Sequence, residues 1–245
     1  MPPPSQPPKA SSIVAQLNER FKHGRPSDAL DEAGVLVHTF DAVDAVDMGR
    51  LDLWTPCPAD LWCGHFQRFS VSLINQRLPH FFNENKQGGF VLANAPLSPP
   101  SSKLRCAFAF DAGGMVGHGG CPGTVCGDPS DAFGASTSYC YWEGSQLKHM
   151  LDAHELRAKE EAGYGEAKGG SNYNEIVIGA DVWLSALPHL IEAIFFPAHV
   201  DAEAGAEARA RQVHAAFLAE FGGRVPWVPL LRYDREQIDS PFALA

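Results

Sequence analysis

Basic residues are the scarce charge in this chain: 19 Lys and Arg stand against 29 Asp and Glu, a net charge of −10 with histidines neutral. Sequence-independent affinity for a phosphate backbone comes from clustered Lys and Arg, so the missing cluster argues against a nucleic-acid partner. Long uninterrupted apolar runs are missing too. The most apolar stretch, 176–200, contains Asp181, Pro188, His189 and Glu192, which a bilayer-spanning helix would not carry, so no membrane span is expected. The opening residues, Met1 to Pro8, include five prolines and show neither the basic start nor the apolar run of a signal peptide. Residues 1–10 read as a flexible Pro-rich tail. There is no Walker loop, no GxSxG elbow, no HExxH, no calcium loop and no internal repeat. Gly113, Gly114, Gly117, Gly119 and Gly120 lack the Lys-Ser/Thr partner of a phosphate cradle and read as turn glycines. The acidic excess is spread over loops and helices, which speaks for solubility more than for a choice of partner.

What is present is an ordinary globular composition. With 245 residues, 45% of them apolar, the chain is long enough to bury a core without staples. Ile13, Leu17 and Phe21 recur at helical spacing, with Ser12 as the expected N-cap and Gly24 as the stop. Short apolar or alternating runs at 34–40, 69–74, 88–93, 105–110, 173–178 and 191–196 read as strands. Amphipathic patterns at 146–161 and 202–221 read as helices, the second with Val213, Phe217 and Phe221 on one face. Residues 225–231 read as a closing extended segment whose prolines favour a sheet edge. Residues 41–66 and 111–138 lack periodicity and read as long loops. Strands and helices do not alternate regularly. The expected architecture is therefore α+β: a single domain over 11–245 with a largely antiparallel, twisted or split sheet, a few flanking helices and long Cys/Gly-rich loops.

All six cysteines fall between Cys57 and Cys140. Short-range pairs such as Cys57/Cys63 and Cys121/Cys126, with Cys106 and Cys140 remaining, would suit disulfides in an oxidising compartment; reduced thiols suit a cytosolic one. Six cysteines allow 15 pairings, so connectivity stays open, and so does the compartment. The spacings are wider than the usual structural zinc knuckles, and no metal site is expected. His149 and His154, five apart, do not share a helix face well enough to bind a metal together.

Three segments carry residue types that belong together chemically: His38 at the end of Gly-Val-Leu-Val-His-Thr, Ser70 and Ser72 in Phe-Ser-Val-Ser, and Glu175 in Tyr-Asn-Glu-Ile-Val-Ile behind a glycine-rich stretch. Their pattern resembles the catalytic core of the ADP-ribosyltransferases, both poly-ADP-ribose-polymerase-like and toxin-like. The resemblance implies NAD as substrate, with ADP-ribosyl transfer to a small molecule or protein, or NAD glycohydrolysis. It implies that His38 anchors the ribose, Ser70 and Ser72 line the nicotinamide pocket, and Glu175 is catalytic. Tyr164 or Tyr173 would stack on nicotinamide or substrate. The chemistry is coherent, because breaking the nicotinamide–ribose bond develops positive charge that a carboxylate in a water-poor pocket stabilises. His38 is followed by Thr39 where polymerase-like members carry Gly, and no arginine stands on that strand as in toxin-like members.

Two other readings use different residues. Trp54, Trp62 and Trp142, near cysteines in loop segments, would suit a non-catalytic extracellular or lumenal domain that binds a glycan or peptide. A Cys- or Ser-based hydrolase is the third, and nothing in the sequence fixes its triad.

Overall fold

A computed structural model describes residues 8–23, 30–39, 68–76, 79, 88–94, 104–108, 175–179, 188–199 and 204–245. Helix α1, Ala10–His23, is followed by the short helix α2, Leu30–Ala33, and strand β1, Val35–Thr39. Strands β2, Arg68–Ile74; β3, Gly89–Leu92; β4, Leu104–Phe108; and β5, Glu175–Gly179 come next. A 3-10 turn over Pro188–Leu190 leads into β6, Ile191–Pro197. Helix α3, Ala206–Phe221, then precedes β7, Leu230–Tyr233, and β8, Phe242–Leu244.

The strands form one eight-stranded sheet in the order β4-β5-β2-β1-β3-β6-β7-β8. Every adjacent pair is antiparallel except β6–β7, which is parallel and spans α3. A parallel pair needs a crossover, and α3 supplies it. The α+β expectation and the largely antiparallel sheet agree with this arrangement. The stretch at 176–200, excluded above as a bilayer helix, contributes β5 and β6, and among the described residues no helix is long and apolar enough to cross a membrane.

Alternation along the strands supplies two buried faces. Ile13, Leu17 and Phe21 of α1 lie in one cluster with Val35 and Val37 of β1, Ile74, Val91, Ala193, Phe195, Leu231, Tyr233 and Phe242. The spacing of four between the helix positions lays them along a single stripe over the sheet. Phe21, Phe195, Tyr233 and Phe242 meet edge-on or tilted, with ring centroids 5.1–6.4 Å apart. Such pairs add about 0.5–1.5 kcal/mol each beyond area burial. The alternate positions Leu36, Phe90, Ile194 and Leu230 are also buried. On α3, Ala206, Ala210, Val213, Phe217 and Phe221 form the buried stripe, which packs against β6 and β7.

Four expectations need correction. Ser12 is not the N-cap: α1 starts two residues earlier, and the Ser12 hydroxyl donates back to the Lys9 carbonyl at 2.7 Å inside the first turn. The helix thus also takes in Ala10, which the sequence assigns to the tail. Strand β4 starts at Leu104, one residue before the expected 105–110, and residues 109–110 lie outside the described residues. The segment 225–231 is not a sheet edge. Only Leu230 and Leu231 of it join β7, which lies inside the sheet between β6 and β8. Pro229 sits immediately before the strand, where its missing N–H costs no ladder bond, and its carbonyl accepts from the Ile194 amide at 3.0 Å. The edge on that side is β8, whose Phe242 N–H and C=O are both bonded to the Asn18 side chain of α1. The expected helix at 146–161 and the loops at 41–66 and 111–138 lie outside the described residues.

Candidate functional site

The site is built where two halves of the sheet separate. The β1–β2 ladder runs from Val35↔Ile74 through Leu36↔Leu73 to Val37↔Ser72 and goes no further among the described residues. Beyond that pair β1 continues along β3, with His38↔Phe90 and Thr39↔Gly89. Strand β2 continues instead along β5, from Val71↔Ile176 through Ser70↔Val177 to Arg68↔Gly179. The ends of β1 and β2 therefore hold to different neighbours, and the sheet forks between them.

Elementary constraints hold the fork in place. Gly34, at φ +149°, turns the chain into β1 in a conformation that L side chains rarely adopt, and a Cβ there would lie 2.3 Å from the Ile74 carbonyl oxygen. Two buried asparagines flank that turn. Asn75, after β2, donates from Nδ2 to the Ala33 carbonyl at 2.9 Å, and Asn94, after β3, donates to the Gly34 carbonyl at 3.0 Å. Backbone carbonyls buried ahead of a strand need partners, and these side chains fix β1 between its two neighbours. At the other end of β1, Gly89 allows β3 to approach closely: a Cβ would stand 2.5 Å from the His38 carbonyl oxygen and 2.9 Å from the Phe195 ring. Sequence reasoning missed both asparagines. The available signal was that each directly follows an apolar strand, at Ile74-Asn75 and Ala93-Asn94.

Of the six expected site residues, four are described. Ser72 is buried, with 5% of its surface exposed, opposite Val37 at the last rung before the fork. Glu175 opens β5, pairs with Phe108 of β4 on one side, and on the other stands at the register step after Val71↔Ile176, which is the position of Ser72. Ser70 pairs with Val177, two residues further along the same strands. Since strand residues alternate between faces, the positions Val37, Ser70, Ser72, Glu175 and Val177 belong to one face of the sheet. His38 is half-buried at the fork, but its register partner is Phe90, and it falls on the alternate face with Leu36. The register thus places the Ser70, Ser72 and Glu175 positions on adjacent strands with the same parity, and the His38 position with the opposite parity. Tyr164 and Tyr173 lie outside the described residues, as do Trp54, Trp62, Trp142, His149, His154 and every cysteine except Cys106. Cys106 is on β4, opposite Val177.

Among the described residues no group of three or more His, Cys, Asp or Glu is arranged to hold a metal ion. A cavity of about 480 Å³ lies elsewhere, between the end of β6, the start of α3 and the last two strands. Phe196, His199, Glu207 and Arg232 are among its walls, and β1 and β3 stand between those strands and β2, so it is not part of the fork.

Compared with known protein-family models and with curated proteins, the chain matches none.

Proposed function

We propose that the chain is an NAD-consuming enzyme that acts at the fork, by ADP-ribosyl transfer or by NAD glycohydrolysis. One observation carries this reading. Three segments that the resemblance to ADP-ribosyltransferases singles out, the third of them about a hundred residues beyond the second in sequence, are the adjacent strands β5-β2-β1, with Ser72 and Glu175 at neighbouring register positions. A strand bearing a serine and a strand bearing a glutamate are each common. Their adjacency where the β1–β2 ladder ends is not dictated by chain order, since β3 and β4 both intervene between β2 and β5 in sequence.

The roles follow from the chemistry of the bond. Cleavage of the nicotinamide–ribose linkage sends the electron pair of the C–N bond to the nicotinamide nitrogen and leaves positive charge on the sugar. Glu175 would stabilise that charge, an interaction strongest where water is excluded. An acceptor oxygen, from water or a second substrate, then bonds to the ribose carbon and releases its proton to solvent or to the carboxylate. Serine hydroxyls both donate and accept, and Ser70 and Ser72 would orient nicotinamide amide or ribose hydroxyl groups before the bond breaks. The half-buried His38 would reach such a ligand only past the end of the β1–β2 ladder, from the other face.

Incubation of the full chain with NAD, followed by chromatographic detection of nicotinamide and ADP-ribose, tests the reading. Release of both supports hydrolysis, and nicotinamide without matching ADP-ribose supports transfer. If neither product appears at millimolar NAD, the proposal is wrong.

A further inference from the structure

We infer that Thr39, and not the neighbouring His38, is the β1 residue that shares the ligand face with Ser70, Ser72 and Glu175. The inference rests on the NAD-consuming reading and specifies which β1 side chain binds the substrate.

Register decides the matter. Val37 pairs with Ser72, so the two positions lie on the same face. Thr39 is two residues beyond Val37 on the same strand, and alternation returns it to that face. His38, the intervening residue, shares its face with Leu36, which is fully buried, and with its partner Phe90, 3% exposed. Thr39 and Ser70 are the next positions of that parity on β1 and β2, each two residues past the last rung, where β1 pairs with β3 and β2 with β5. Thr39 is half-buried, neither packed into the core as Val35 and Val37 are nor fully in solvent. Its partner on the other side is Gly89, over which the Phe195 ring packs, so Thr39 stands at the rim of the aromatic cluster.

A hydroxyl so placed suits a polyhydroxylated ligand. It can donate to one ribose oxygen and accept from another, and the β-branched threonine holds its χ1 with little rotamer freedom left to lose. A histidine on the opposite face contributes to the strand end without facing the same part of a bound sugar.

The test compares the native full chain with Thr39→Val, which keeps shape and strand propensity while removing the hydroxyl, and with Thr39→Ser, which restores the hydroxyl. Nicotinamide release is measured over a range of NAD, and folding is followed by urea denaturation. The expected result is a KM for NAD raised about three- to tenfold in Thr39→Val, the scale of one lost neutral hydrogen bond. Near-native values in Thr39→Ser and an unchanged urea midpoint in Thr39→Val complete the expectation. A native KM in Thr39→Val, while Glu175→Gln abolishes turnover, overturns the assignment of Thr39 and leaves the enzymatic reading standing. A defect that Thr39→Ser does not rescue also overturns it, because the loss then belongs to packing. If the native chain releases no nicotinamide, the enzymatic reading fails and the assignment falls with it.

Discussion

Val37 of β1 and Ser72 of β2 form the last rung of their ladder, and beyond that rung the two strands follow different partners. A rung at that point puts a buried serine at the end of the β1–β2 ladder. The register extends from it to Glu175 on one side and, two residues further along β1, to Thr39. This relationship gives the candidate site its geometry, and the surrounding packing determines whether the geometry persists.

The turn into β1 is the first place where it can be broken. Gly34→Ala would put a side chain at φ +149° and a Cβ 2.3 Å from a backbone oxygen. The expected cost is about 2 kcal/mol or more, read as a lower urea midpoint at unchanged slope. An unchanged midpoint would show that the turn does not have the described conformation.

Removing the Asn18 side chain is expected to loosen the far edge of the sheet and leave the fork intact. Its amide donates to the Phe242 carbonyl at 2.9 Å and accepts from the Phe242 amide at 3.0 Å, standing in for a ninth strand. Asn18→Ala should lower stability by about 1–2 kcal/mol and accelerate hydrogen exchange at Phe242. Unaltered exchange at that amide would count against the cap.

Two ion pairs of similar composition should behave differently. Arg20 of α1 and Glu192 of β6 join helix to sheet with side chains 14% and 28% exposed. Glu207 and Arg211 pair along the surface of α3 at 53% and 54% exposure. Glu192→Gln is expected to cost about 1–2 kcal/mol, and Glu207→Gln under about 0.5 kcal/mol, because solvent screens the exposed pair. Equal losses in thermal or urea unfolding would contradict the difference in burial.

Truncation at the centre of the aromatic cluster gives the largest expected loss of stability. Phe195 is fully buried, packs edge-on to Tyr233, and its ring lies against Gly89 beside the end of β1. Phe195→Ala should cost about 3–5 kcal/mol in urea unfolding. A loss below about 1 kcal/mol would mean that the cluster is not the core.

Much of this fold was legible because its signals are local. Ile13, Leu17 and Phe21 declare a helix by spacing, and the alternation in Phe69-Ser-Val-Ser-Leu-Ile declares a strand. Strand β7 was legible only in part, as the end of an extended sheet-edge segment, and β8 was not legible as a strand. Leu230–Tyr233 follows two prolines and Phe242–Leu244 has three residues, too few for a period to show. Both are held by long-range partners instead, β7 by β6 across α3 and β8 by Asn18. At the site, residue types could be read from the sequence, but which residues share a face could not. Parity depends on strand register, and register is set by pairings between segments far apart in the chain, so the sequence assigns the ribose to His38, and only the pairing of Val37 with Ser72 gives Thr39 rather than His38 the parity of Ser72.

The most direct measurement is nicotinamide release from NAD by the native full chain and by Glu175→Gln, with circular dichroism to establish that both are folded. The expected result is turnover by the native chain and a loss of about 100- to 1,000-fold in kcat in the variant, the scale on which a preorganised electrostatic contact acts. Turnover by Glu175→Gln at the native rate, or a native chain that leaves NAD intact, would contradict the assignment of an NAD-cleaving site to the fork.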